Sequence, residues 1–158
     1  MSFDDLYHEI ILDHYRSPRN RAPELDDADV HVHHSNPLCG DELDLRLAVG
    51  TDEAGHSTVS KVVYDGEGCS ISMASASAMT EAVTGRELTD AEDLAESFRL
   101  MMHGEGVKRE DDLLDGIAFQ GVAQFPVRVK CALLGWMALR DAISTYEQGD
   151  DRHHVVYE

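Results

Sequence analysis

At 158 residues, with 42% hydrophobic and 28% charged positions, the chain has the size and make-up of one globular domain with a single core. Thirteen Lys and Arg stand against 31 Asp and Glu, a formal charge of −18, which repels phosphate backbones and anionic lipid and argues against a nucleic-acid partner or a membrane surface. No apolar run approaches the roughly 20 residues of a membrane helix, the acidic start from Met1 to Tyr7 is unlike a signal peptide, and three cysteines are too few and too odd in number for a disulfide framework, so the expected location is cytoplasmic.

The first predicted element is a helix from Ser2 to Arg16. Ser2 and Asp5 suggest a capping box, Phe3, Leu6, Tyr7, Ile10, Ile11 and His14 share a face, and Ser17-Pro18 stops it. Three strands are expected next, over 30–34, 41–49 and 58–64, each alternating in polarity. Their short connections predict an antiparallel meander with helices on one face. His31, His33 and His34 fit a solvated strand face better than a metal site.

Between the first two strands lies Ser35-Asn36-Pro37-Leu38-Cys39-Gly40-Asp41. Asn-Pro favours a turn, and Gly40 leaves room for Cys39 and Asp41 to converge on one point. A soft sulfur and a hard oxygen so placed read as half of a metal site, with zinc the first candidate. Alternatively, Cys39 is a plain buried thiol and Asp41 a turn cap.

After the third strand, Asp65-Gly66-Glu67-Gly68-Cys69 leads into a helix of small residues running from Ser70 to about Gly85, whose size suggests close approach to the sheet. Cys69 sits at the helix N-terminus, where the positive end of the dipole faces it. It suits either a ligand or nucleophile, or a small core residue. Thr89 with Glu92 predicts a capping box for a helix carrying Leu94, Phe98, Met101 and Met102 inward, and a further helical piece is expected over 108–117. Pro126 opens the last long helix, apolar nearly all round from Val127 to Leu139 and ending near Gly149. Cys131 lies in its second turn with Arg128 on the same face and Lys130 beside it, cations expected to lower the thiol's pKa. Residues 1–148 form one expected domain, and 149–158 a flexible C-terminal tail.

Three motifs in register, Asn36 to Asp41, Gly68-Cys69 with its Ser/Ala-rich helix, and Pro126-Val127-Arg128-Val129-Lys130-Cys131, resemble the IscU/SufU family of iron–sulfur cluster assembly proteins. The resemblance implies an α+β fold, a three-stranded antiparallel sheet packed against several helices, with the three cysteines and the aspartate at one exposed end. Scaffold members of the IscU type carry a histidine directly before the third cysteine and a shorter connection between the second and third. Lys130 and the extra stretch around 99–120 resemble the SufU branch instead. That branch implies a zinc-dependent sulfurtransferase working with a cysteine desulfurase of the SufS type and feeding a downstream iron–sulfur scaffold. By the same resemblance Cys39, Asp41, Cys69 and Cys131 would hold Zn2+, a partner histidine would take one zinc position, and Cys39, assisted by Arg128, would accept the sulfur. The alternative is a scaffold that builds a transient [2Fe–2S] cluster on the same ligands; a purely structural zinc domain is a third reading.

Overall fold

The computed structural model describes residues 3–37, 40–149 and 153–157. Helix α1 (Phe3–Arg16) precedes three strands, β1 (Val30–Asn36), β2 (Asp41–Thr51) and β3 (Ser57–Glu67). Helices α2 (Ser70–Val83), α3 (Leu88–Met102) and the single turn α4 (Glu110–Leu113) follow, then a 3-10 segment (Leu114–Gln124), α5 (Pro126–Gln148) and strand β4 (His153–Tyr157).

The expected antiparallel meander is present, with β2 central between β1 and β3. A fourth strand extends it. β4 lies parallel to β1 in the order β3-β2-β1-β4, within the segment expected to be a tail. Alternation on β2 puts Asp41, Leu43, Leu45 and Leu47 on one buried face. That face is covered by α5, whose middle carries the buried Leu134, Trp136, Ala138 and Leu139. Trp136 stacks on Phe98 of α3 with ring centroids 4.6 Å apart, and Phe119 meets Phe98 edge-on.

The small residues of α2 serve a different contact from the one expected. Their close approach is to α5, because a Cβ on Gly135 would sit 3.0 Å from both Cα and Cβ of Ala76. The Ser75 hydroxyl donates to the Ala132 carbonyl at 2.6 Å across the same seam. Helices packed this closely leave their N-terminal ends little freedom, and both ends carry a cysteine: Cys69 caps α2 and Cys131 lies in the second turn of α5.

Several local expectations need correction. Helix α3 starts at Leu88, one residue before Thr89, and its N-cap Glu87 makes no side-chain cap bond, so the Thr89–Glu92 box is unused. Leu88 is buried, and its packing outweighs the capping preference. The helical piece over 108–117 shrinks to one turn of α4 and then tightens into the 11-residue 3-10 segment. The chain enters α4 through Arg109 and leaves it through Leu114, both at positive φ, which breaks the helix on each side. Asp115 then pins the segment to α1, lying 2.8 Å from His14 Nε2, while His14 Nδ1 is 2.7 Å from Ser77 Oγ of α2. His14 is therefore a fully buried polar tie between three elements. His34 is buried too, against Asp141 of α5 at 3.0 Å, and does not lie on a solvated face. His31 and His33 are half-buried and share one oxygen of Asp44.

Candidate metal centre at the end of the sheet

Register builds the site. Glu42 of β2 pairs with Glu67 of β3, so the start of one strand lies beside the end of the other. Asp41, one residue before Glu42, then faces Gly68 and Cys69, one and two residues after Glu67. The two-residue period turns the Asp41 carboxylate toward the helices, and it is buried there. Cys69 is the N-cap of α2, and α5 runs in from the other side with Cys131 in its second turn.

Asp41, Cys69 and Cys131 thus converge. One donor atom from each, a carboxylate oxygen and two sulfurs, lie within 4.8 Å of one another. Cys39 lies outside the described residues. Asp41 uses its two oxygens differently: Oδ1 accepts the Cys69 backbone N–H at 3.0 Å, while Oδ2 lies 3.8 Å from Cys69 Sγ. Gly68 makes this possible, since a Cβ there would sit 2.9 Å from Oδ1 and 2.6 Å from Ser72 Oγ. Ser72 closes the turn. Its N–H donates to Cys69 Sγ at 3.4 Å, and its hydroxyl donates to the Cys69 carbonyl at 3.0 Å.

Electrostatics follow from this crowding. Burial raises the Cys131 thiol pKa far above its ordinary value, and the neighbouring Cys69 and Asp41 raise it further. The expected lowering by a nearby cation is overturned. Arg128 does feel the sulfurs, its own pKa being raised by a hydrogen bond to Cys131 and by electrostatic interaction with Cys69, but one exposed guanidinium does not offset burial and the two neighbouring side chains. A divalent ion does. Two thiols and a one-oxygen carboxylate suit a borderline-soft, four-coordinate ion, so this donor set fits zinc.

An open groove of about 540 Å³ reaches the site from the side of α1. Tyr7, Ile11, Ile71, Val122 and Phe125 give it apolar walls, and it ends at Cys69 and Arg128. Phe125 and Val127, at the mouth of α5, are 57% and 73% exposed. Among the described residues no helix is long and apolar enough to cross a membrane.

Sequence reasoning named Asp41, Cys69, Cys131 and Arg128 but passed over Ser72. Its only signal was its place three residues after Cys69, the spacing of an N-cap and its third helical position.

Comparison with known proteins agrees with the fold and the motifs. Residues 6–152 match the NifU-like N terminal domain. The zinc-dependent sulfurtransferase SufU of Bacillus subtilis (strain 168) is 42% identical over 149 residues, covering 94% of this chain and 97% of that protein. The iron–sulfur cluster assembly scaffold protein IscU of Streptococcus pyogenes serotype M1 is 36% identical over 138 residues, 87% of this chain and 82% of that one. A crystal structure from Fervidobacterium islandicum AW-1, assigned to an iron–sulfur cluster assembly scaffold protein for the SUF system, superposes with a TM-score of 0.74 at 30% identity, covering 85% of this chain and 94% of that one. With the family domain spanning nearly the whole chain and its relatives matched almost end to end, the chain belongs to the NifU-like N-terminal domain family, which includes the IscU and SufU iron–sulfur cluster assembly proteins.

Proposed function

We propose that this protein is a zinc-dependent sulfurtransferase of the cytoplasm. It accepts persulfide sulfur from a cysteine desulfurase of the SufS type and relays it to an iron–sulfur cluster scaffold. The observation that carries the proposal is the convergence of Asp41, Cys69 and Cys131 at the open end of the sheet, in a chain 42% identical to a zinc-dependent sulfurtransferase. Cys39 completes the ligand set in this reading, two residues before Asp41. Bound zinc supplies positive charge that keeps the cysteines deprotonated at neutral pH.

The chain's own residues do the rest. Asp41, Cys69 and Cys131 stay fixed because a strand and two helices hold them, and Arg128 faces the anionic sulfurs from the groove. Cys39, two residues before Asp41 in the sequence, is the acceptor in this reading. Its thiolate attacks the outer sulfur of the donor's persulfide. A new S–S bond forms at Cys39 as the donor's S–S bond breaks, and the donor cysteine leaves as a thiolate, so sulfur moves with no external oxidant or reductant.

The test is incubation of the zinc-loaded protein with desulfurase and cysteine, followed by mass spectrometry of the peptides. One added sulfur is expected on the peptide containing Cys39, and none in Cys39→Ser, which should remain folded. Absence of added sulfur on every cysteine defeats the proposal. The 36% identity to a scaffold protein keeps a second reading open, a transient [2Fe–2S] cluster on the same ligands. Purified protein containing stoichiometric iron and absorbing as a cluster, with no zinc, favours that reading instead.

A further inference from the structure

We propose that the Gly68–Ser72 turn is a clamp that fixes Asp41 as a one-oxygen ligand, making it a resident of the metal centre that holds its place while a cysteine leaves. The inference rests on the zinc reading above and concerns how the site controls ligand exchange.

Three observations carry it. The Cys69 N–H donates to Asp41 Oδ1 at 3.0 Å, while the other oxygen, Oδ2, lies 3.8 Å from Cys69 Sγ. A bare Gly68 admits that arrangement, because any β-carbon there would come within 2.9 Å of Oδ1 and 3.1 Å of the carboxyl carbon. Ser72, fully buried, ties itself to the backbone and sulfur of Cys69, so the N–H that holds Oδ1 cannot swing away. A carboxylate with both oxygens free can bind a metal through either or both. With Oδ1 held by the Cys69 N–H, Asp41 would offer a bound zinc one oxygen only, and would have no second oxygen to spare for a position that another ligand vacates. Gly68 and Ser72 are positioning residues in this account; neither touches the metal.

Cobalt(II) reports the difference, since a four-coordinate thiolate site absorbs visible light strongly and a five-coordinate one weakly. The full chain is loaded with Co2+, its spectrum recorded, and zinc affinity measured by competition with a chromophoric chelator. Gly68→Ala should lose most of the four-coordinate intensity and bind zinc about 10–100-fold more weakly, the range for disturbed outer-shell partners. Adding Ser72→Ala to it removes the 2.6 Å contact but not the one with Asp41. The double variant should therefore keep the altered spectrum. Should it instead regain the parent spectrum, the serine clash was the cause and the clamp is wrong.

If Gly68→Ala does not fold, Asp41→Glu asks the same question, its extra methylene carrying the carboxylate off the Cys69 N–H. Its spectrum should change in the same direction. Parent-like spectra and zinc affinity within twofold, in either variant, overturn the proposal, as does a parent that binds no metal. Sulfur loading of the parent is scored separately, so a failed sulfurtransferase reading leaves the cobalt result interpretable.

Discussion

Replacing Asp41 with alanine should have two separable effects on stability, one without zinc and a larger one with it. Without metal, the variant strands the partly buried Cys69 N–H, at the low end of the about 1–3 kcal/mol that a donor left without its acceptor costs. It also removes a carboxylate that is itself buried, and relieving that desolvation returns part of the cost. A net loss of about 1 kcal/mol is the expected balance. With zinc, the variant loses a ligand as well. If affinity falls about 100-fold, the stabilisation that saturating zinc contributes shrinks by about 2.7 kcal/mol, two factors of ten at about 1.4 each. For a chain of this size, each kcal/mol moves the melting temperature by roughly 2–4 °C, so the gap between zinc-loaded and chelator-stripped melting points should narrow by about 5–11 °C. Calorimetry at matched protein and zinc concentrations measures both gaps. Equal gaps in parent and variant would refute the placement of Asp41 on the metal, whatever the stability of the stripped forms.

Other consequences can be checked the same way. Glu92 has its carboxyl pushed up to about 7, first by burial and then by Glu147 beside it. A carboxyl raised on folding penalises the folded state as pH climbs from its ordinary value near 4.5 to about 7, and fully above that, so Glu92→Gln should stabilise the protein by about 1 kcal/mol at pH 8 and not at pH 4, read as denaturation midpoints. Gly135→Ala gains about 1 kcal/mol of helix propensity but drives a β-carbon into the backbone of Ala76 at 3.0 Å, an overpacking cost of about 1–3 kcal/mol. A lower melting temperature is expected, and a higher one would mean the two helices separate readily. His14→Phe removes the tie to Ser77 and Asp115 and should loosen the 3-10 segment; hydrogen exchange over 114–124 should rise well above the parent's.

The sheet and the site were legible in the sequence to different depths. Alternation from Leu43 to Leu47 located β2, whereas the burial of Asp41 on the same face, two residues earlier, is known only from the fold. The helix starts at Ser70 and Pro126 were likewise readable, and with them the positions of Cys69 and Cys131. What escaped was everything decided by a distant partner. The Thr89 box lost to burial of Leu88. His34 looked like surface among three histidines, yet Asp141, more than a hundred residues on, gives it a buried partner. The Cys131 thiol was misjudged because the adjacent cations are visible in sequence, whereas its burial and the approach of Cys69 and Asp41 are not. Strand β4 needs the open side of β1 before its short Val155–Val156 stretch has anything to pair with.

That last pairing bears on how the protein stays dispersed. A sheet side with free N–H and C=O groups is a template for other chains, and natural sheets blunt such sides. On the β3 side the ladder is interrupted by isolated bridges from Arg21 and Glu87, and Ser60 and Lys61 are exposed. On the β1 side the blunting falls to β4, which occupies the row from His31 to Ser35. A chain cut after Gly149 would bare that row with Val30 and Val32 beneath it. Such a fragment should associate through β1 at concentrations where the full chain does not, making the last few residues a guard against self-assembly as well as a fourth strand.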